Sequence, residues 1–325
     1  MEGMFIMKNR FAFLSVLFCC AVLFLSGCGK KDNGKIRIGV SIPGAVRGWN
    51  GGVVWWAEQT KKELERKDPQ IEVILSTAEA PSEQAGKIEK LMVQGINALV
   101  VLPQEPASLT GICSQARERG IYLVAVDRNL KKNIQDLTVA GDNAEFGRRC
   151  AEEMAKRLKG KGDILIMEGV PGEVNSLRVN AFRNVMKKYP GIRILESRTS
   201  DWSQETGLKL MTDFLRKYKK IDAVWAGDDG VLTGALKAYA GSKRNDIKFF
   251  IGGGGAKAIV KRVLDKDPLV PFNVTYSPRM IAYGIEFAAA AAKGKPTAKS
   301  KVEVIPAEVI TPANAKYFYQ PNSPY

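Results

Sequence analysis

The residues of this 325-residue chain best suited to chemistry fall at one repeating place, just after short apolar runs rich in β-branched residues. After the run at 36–42 comes Pro43-Gly44-Ala45-Val46-Arg47-Gly48-Trp49-Asn50. After 121–126 come Asp127 and Arg128, and after 137–140 come Asp142 and Asn143. A loop after 163–168 leads to Arg178, and Asp201 and Trp202 follow 192–199. Gly227, Asp228 and Asp229 follow 221–226; Gly253, Gly254 and Gly255 follow 247–252; Tyr276 and Pro278 close the run at 271–276. The set holds flat aromatics (Trp49, Trp202, Tyr276), short carboxylates (Asp127, Asp142, Asp228) and guanidinium groups (Arg128, Arg178). Such groups suit a ring with an apolar C–H face and a rim of hydroxyls. Aromatic rings cover the face, a carboxylate accepts from two hydroxyls, and a guanidinium donates several N–H bonds in a fixed plane. The competing reading makes each Asp a helix cap and each Trp a packing residue.

Other constellations are less specific. Asp127-Arg128 is either a ligand pair or an ion pair bracing a turn. Ile251-Gly252-Gly253-Gly254-Gly255 ahead of a helix has the look of a phosphate cradle. The chain lacks Gly-x-x-x-x-Gly-Lys-Ser/Thr, and no Gly-x-Gly-x-x-Gly follows the first strand. A tight turn, or close backbone approach to a neutral ligand, fits the run better. Asp228-Asp229 is either an acid/base pair or a helix cap. Trp55-Trp56 lies one turn into a helix, where one ring should face the core and the other solvent or an interface.

Absences exclude whole reaction classes. The chain has no His, which removes Ser-His-Asp and Cys-His catalysis and every His-bearing zinc site. Three scattered Cys outside the leader cannot make a Cys₄ site, and there is no calcium loop or Gly-x-Ser-x-Gly elbow. No metal, no cofactor and no enzymatic activity are expected. Cys113 and Cys150 are either buried free thiols or, in an oxidising compartment, a disulfide.

The elements that must position these groups alternate regularly. Between the apolar runs, which also include 71–75 and 97–102, lie helical patterns near 50–66, 82–94, 107–119, 143–159, 174–189, 204–218, 230–241, 255–265 and 278–293. Runs such as Ala98-Leu99-Val100-Val101-Leu102 are apolar throughout, as strands covered on both faces require. Strand–helix alternation implies right-handed βαβ units in doubly wound sheets. Nine such units exceed one comfortable open sheet, so the expectation is an α/β protein of two parallel-sheet lobes. Ligands of such sheets lie beyond the carboxyl ends of the strands, where the polar residues recur.

The leader sets the compartment. Lys8 and Arg10 precede an apolar run of 15 residues, Phe11–Leu25, followed by Leu25-Ser26-Gly27-Cys28. The run is short of the roughly 20 residues that span a bilayer, and the order matches a secretory signal. The four residues resemble a bacterial lipobox, which implies cleavage before Cys28 and a lipid on its thiol. An ordinary signal peptide is the alternative. The expected body of 298 residues (325 minus 27) is held at the membrane in the periplasm or at the cell surface. The net charge of +15 becomes +14 once Lys8, Arg10 and Glu2 leave. The basic residues are scattered over polar helix faces, and no nucleic-acid partner is expected.

Taken with their order, the strand-end residues resemble the ribose-type periplasmic binding proteins, the sugar receptors of bacterial ABC importers. The resemblance covers roughly 35–300 and is carried by Val126-Asp127-Arg128, Gly141-Asp142-Asn143, Arg178 four residues before Phe182, and Asp228-Asp229 ahead of Gly234-Ala235-Leu236. It implies two lobes joined by a three-segment hinge and closing on ligand. The leader takes residues 1–27 and a tether 28–34, and the resemblance assigns 34–141 plus 277–300 to one lobe and 142–276 plus 301–325 to the other. It implies that Asp127, Arg128 and Arg178 bond sugar hydroxyls and that Trp49 and Trp202 stack on the ring. Asn50, Asn143, Asp228, Gly254 and Tyr276 complete the expected contacts. Where ribose binders carry Asp, Gln and Asn, this chain has Gly254, Tyr276 and Asp228, so a different sugar, polyol or related metabolite is expected. The implied partners are that ligand and ABC permease subunits, with the chain a monomer. A sensor lipoprotein reporting the same ligand to a membrane kinase or chemoreceptor is the alternative; a secreted α/β enzyme or a nucleotide-dependent dehydrogenase fits less well.

Overall fold

Apolar, β-branched runs become strands, and the amphipathic stretches between them become helices that cover the sheets. The computed structural model describes residues 34–45 and 48–325; the signal, the lipobox and Cys28 lie outside the described residues. The chain begins β1 (Ile36–Pro43), α1 (Gly48–Lys67), β2 (Ile71–Ala78), α2 (Pro81–Val93), β3 (Ala98–Val101), α3 (Pro106–Glu118), β4 (Tyr122–Val126) and β5 (Leu137–Gly141). It continues α4 (Asn143–Arg157), β6 (Lys161–Glu168), α5 (Glu173–Met186), β7 (Gly191–Thr199), α6 (Gln204–Lys217), β8 (Ala223–Ala226), α7 (Asp229–Gly241) and β9 (Phe249–Ile251). It ends α8 (Lys257–Leu264), β10 (Asn273–Val274), α9 (Met280–Ala292), β11 (Val302–Ile305), β12 (Val309–Ile310) and α10 (Ala315–Phe318).

These strands form two parallel sheets of the same design. The first has the order β11-β5-β4-β3-β1-β2 and the second β7-β6-β8-β9. Within each, the strand order reverses beside its first strand, at β1 and at β6, which opens a crevice past the strand ends. A short antiparallel pair, β10–β12, lies beside the second sheet's glycine loop through a bridge between Gly254 and Thr275. The chain leaves the first sheet after β5, returns after β10 to α9, which packs on β3, β4 and β5, and crosses again between β11 and β12. Three crossings therefore join the two sheets. The expectation that 301–325 belongs wholly with the second lobe does not hold at β11: Val302–Ile305 pairs in parallel with Thr138–Gly141 of the first sheet.

Burial follows from this layering. Val100, Val124 and Val126 on one face and Leu99, Val101 and Leu123 on the other are fully buried, so both faces are covered. A second buried cluster, with Phe214, Val224, Phe250 and Val260, fills the outer side of the second sheet. Phe182 stacks on Trp225 at 4.0 Å with an interplanar angle of 4°. Cys113 and Cys150 are buried free thiols, not a disulfide. Burial pushes the Cys113 thiol up to about 12 and the Cys150 thiol higher still, which makes both poor nucleophiles. Among the described residues no helix is long and apolar enough to cross a membrane.

Candidate functional site

The site forms where strand ends of both sheets meet. Arg178, on α5 of the second sheet, is its centre and is only 5% exposed. Its Nε donates to Asn143 Oδ1 at 2.8 Å, and its Nη1 donates to the Gly227 carbonyl at 2.8 Å. Its guanidinium lies over three rings, at 4.3 Å from the centroid of Phe146, 4.2 Å from that of Tyr276 and 5.3 Å from that of Trp202. A cation over aromatic faces is attracted by the negative face of each ring. The two bonds use two of five N–H donors, so the fork keeps capacity for a ligand.

Tyr276 ties the two sheets together. Its hydroxyl donates to Asp127 Oδ1 at the end of β4 and accepts from Asn143 Nδ2 at the start of α4, at 3.2 Å. Burial pushes its phenol far above the usual range, with the Asp127 carboxylate acting in the same direction, so it stays a donor. Its carbonyl accepts from Trp49 Nε1 at 2.8 Å, and the two rings sit 6.0 Å apart, tilted by 36°. Asp127 itself takes φ 66°, in the left-handed region, and Asp201 and Trp202 take 53° and 55°. For residues other than glycine this costs roughly 1–2 kcal/mol each, and such strain concentrates at functional loops. Asp127 and Arg128 do pair, Oδ2 to Nε at 3.4 Å, while Arg128 Nη1 also donates to the carbonyls of Pro103 and Gln104.

The remaining expected residues divide. Trp202 is held by contact with Gly169 and Gly227 and shares Arg178 with the other rings. Asp228 is the N-cap of α7, accepting from Gly230 N at 2.6 Å and Val231 N at 3.4 Å; it lies in the field of Arg178, and its own charge is felt at Asp229. Asp142 likewise caps α4 through Glu145 N, at 2.8 Å. Gly254, at φ 132°, sits beside Tyr276, whose N–H donates to its carbonyl at 3.2 Å. Asn50 is half-buried on α1 beside Trp49, and its side chain has no hydrogen-bond partner among the described residues. Trp55 and Trp56 meet edge to face at 4.8 Å, and Trp56 packs on the core.

Two contributors, Phe146 and Tyr325, are not among the residues expected from the sequence, and a third, Asp229, takes a role that the pattern leaves open. Phe146, one turn after Asn143 on α4, carries the underside of Arg178. Its spacing from Asn143 was the available signal. Asp229 is fully buried and accepts from Gly255 N, Ala256 N and Asn273 Nδ2 at 2.7–2.9 Å, bracing the glycine loop. Of the two readings open for Asp228-Asp229, Asp228 takes the helix cap, while Asp229 points into the protein. Tyr325 also reaches the site, next to Gly254; no sequence signal marked it. Among the described residues no cluster of His, Cys, Asp and Glu could hold a metal ion.

The arrangement can orient and desolvate a polar ring but offers no nucleophile–base pair. Comparisons with known proteins agree. A family model described as "Periplasmic binding protein domain" matches residues 38–296. A xylitol-binding protein of Mycolicibacterium smegmatis is 29% identical over 242 residues, which is 73% of this chain and 68% of the relative. A ribose import binding protein of Bacillus subtilis is 26% identical over 222 residues, 68% of this chain and 70% of the relative. A solved ABC-transporter solute-binding protein of Bacillus halodurans with bound myo-inositol superposes with a TM-score of 0.77 at 24% identity, over 91% of this chain and 100% of that one. These relatives are named as binding proteins, not enzymes. With its two parallel sheets, its three crossings and a family match over most of its length, the chain belongs to the periplasmic binding proteins of type I.

Proposed function

We propose that this protein is an extracytoplasmic receptor that captures an uncharged sugar or polyol and delivers it to an ABC permease. The observation that carries the reading is the convergence of Arg178, Asn143 and Asp127 with the rings of Trp49, Trp202 and Tyr276 at strand ends of both sheets. Carboxylate acceptors and guanidinium donors beside aromatic faces suit a hydroxyl-rich ring. Relatives named for xylitol and ribose support the same ligand class. Asp127, Arg128, Arg178, Asp228 and Asn50 are the proposed hydroxyl contacts, Trp49 and Trp202 the ring contacts, and Asn143, Gly254 and Tyr276 the residues that shape and brace the site. Lobe closure follows from differential affinity: ligand contacts made from both sheets are complete only when they approach. Cys28 is the proposed lipid anchor and the protein acts as a monomer.

Intrinsic-fluorescence titration tests the function directly, since Trp49 and Trp202 are the proposed ring contacts. A panel of pentoses, hexoses, pentitols and inositols should yield saturable quenching or enhancement with at least one member. Silence across the panel sinks the proposal. Incorporation of a labelled fatty acid, lost in Cys28→Ala, tests the anchor. A kinase gene beside this one in place of permease and ATPase genes would assign the same ligand site to a sensor.

A further inference from the structure

The hydroxyl of Tyr325, a residue only 8% exposed, is buried and has no hydrogen-bond partner among the described residues. It lies against Gly254: a Cβ added there would collide with that hydroxyl while standing 3.5 Å from Asp229 Oδ2. At its other end Tyr325 meets α1, where a Cβ on Gly52 would approach the Tyr325 Cβ to 2.9 Å. The ring therefore runs from a first-sheet helix to the second-sheet glycine loop, across the strand-end crevice. Ser323, 3% exposed, accepts from the Tyr325 backbone N–H at 3.1 Å and helps hold the segment. Lys257 Nζ donates to the Pro321 carbonyl at 3.2 Å.

The neighbouring phenol differs in kind. Tyr276 donates to Asp127 and accepts from Asn143, so its hydroxyl is committed inside the protein. Tyr325 lies in the field of Asp228, Asp229 and Arg178, and burial together with the two carboxylates keeps its phenol protonated. A protonated, desolvated hydroxyl with neither bond made gains most from a ligand that supplies one.

We propose that Tyr325 is a ligand-contacting residue of the binding site, its hydroxyl bonding one hydroxyl of the captured sugar or polyol beside Gly254. The two glycines admit it, since a side chain at Gly52 or Gly254 would exclude the ring. The contact rests on the function proposed above and adds a specificity element, because a ligand without a hydroxyl at that place leaves the phenol unpaired.

Calorimetric titration of wild type, Tyr325→Phe and the exposed control Tyr317→Phe with the best ligand of the panel tests it. Tyr325→Phe should weaken binding about tenfold, equivalent to roughly 1.4 kcal/mol. The melting temperature of the ligand-free variant should stay level or rise, because no internal bond is lost. Tyr317→Phe should match wild type. One deoxy analogue of the ligand should bind wild type more weakly than the parent yet bind Tyr325→Phe as well as the parent does. Equal affinity of Tyr325→Phe and wild type overturns this contact alone. A lower melting temperature of the ligand-free variant also overturns it, since the hydroxyl would then have a protein partner. Silence of wild type across the panel overturns the proposed function and this contact with it.

Discussion

Arg178 shows how much one residue depends on its surroundings. Its fork is set by Asn143 and the Gly227 carbonyl and its faces by three rings. A lysine keeps the charge but loses the planar fork and the stacking. Arg178→Lys should therefore weaken ligand binding by about 10- to 100-fold, measured by the same calorimetry, with a native circular dichroism spectrum. Retained affinity would remove Arg178 from the ligand contacts. Asp229 makes a separate prediction. Burial, then the Asp228 charge, push its carboxyl up to about 7, and the three N–H donors that favour the ionised form do not offset them. An ordinary Asp ionises near 3.8, so between about pH 4 and 7 the native state holds a proton that the unfolded chain has released. Stability from this group falls as pH rises through that window. The melting temperature of the ligand-free protein should thus rise as pH is lowered from about 7.5 to 5. In Asp228→Asn, which keeps a capping side chain but removes the like charge, the rise should be smaller and begin at lower pH. A flat profile in wild type would contradict the burial of an uncompensated carboxylate.

Among the elements, the strand–helix alternation was legible because both faces of each parallel strand are covered, which leaves unbroken apolar runs. The competing reading of Asp142 and Asp228 as helix caps holds for both, and each accepts backbone N–H bonds. Strand β11 was not legible. It is a four-residue edge strand with Val302 and Val304 about half exposed, so it lacks the apolar run of a covered strand. Its partner β5 supplies the pairing from 164 residues earlier in the chain (302 minus 138), and local pattern carries no trace of that. The loop holding Trp202 depends on a glycine whose need was equally hidden. A Cβ at Gly169 would penetrate the Trp202 ring. Gly169→Ala should displace the indole, cost about 1–3 kcal/mol by overpacking, and weaken binding together with the ligand-induced fluorescence change. An unaltered titration would show that Trp202 does not report on ligand.

For the whole molecule, three crossings between two sheets of like topology give a hinge with few covalent constraints. Small-angle scattering should show a smaller radius of gyration with saturating ligand than without it, the behaviour expected when ligand favours the state in which both sheets contribute contacts. Identical curves would argue for a rigid site. The period of apolar runs determined the α/β architecture, the absence of His excluded whole reaction classes, and the polar residues after each run carried the resemblance that implied the family and the expected contacts, because strand ends are positions along the chain. Only the tertiary structure decided how these residues divide their labour. Asp228 spends Oδ1 on a helix cap, Tyr276 spends its hydroxyl on Asp127 and Asn143, and Tyr325 arrives from a distant segment with its hydroxyl unspent among the described residues. Hydrogen-bond satisfaction and steric room at glycines depend on atoms brought together from far apart in the chain, and the local residue pattern does not carry that information.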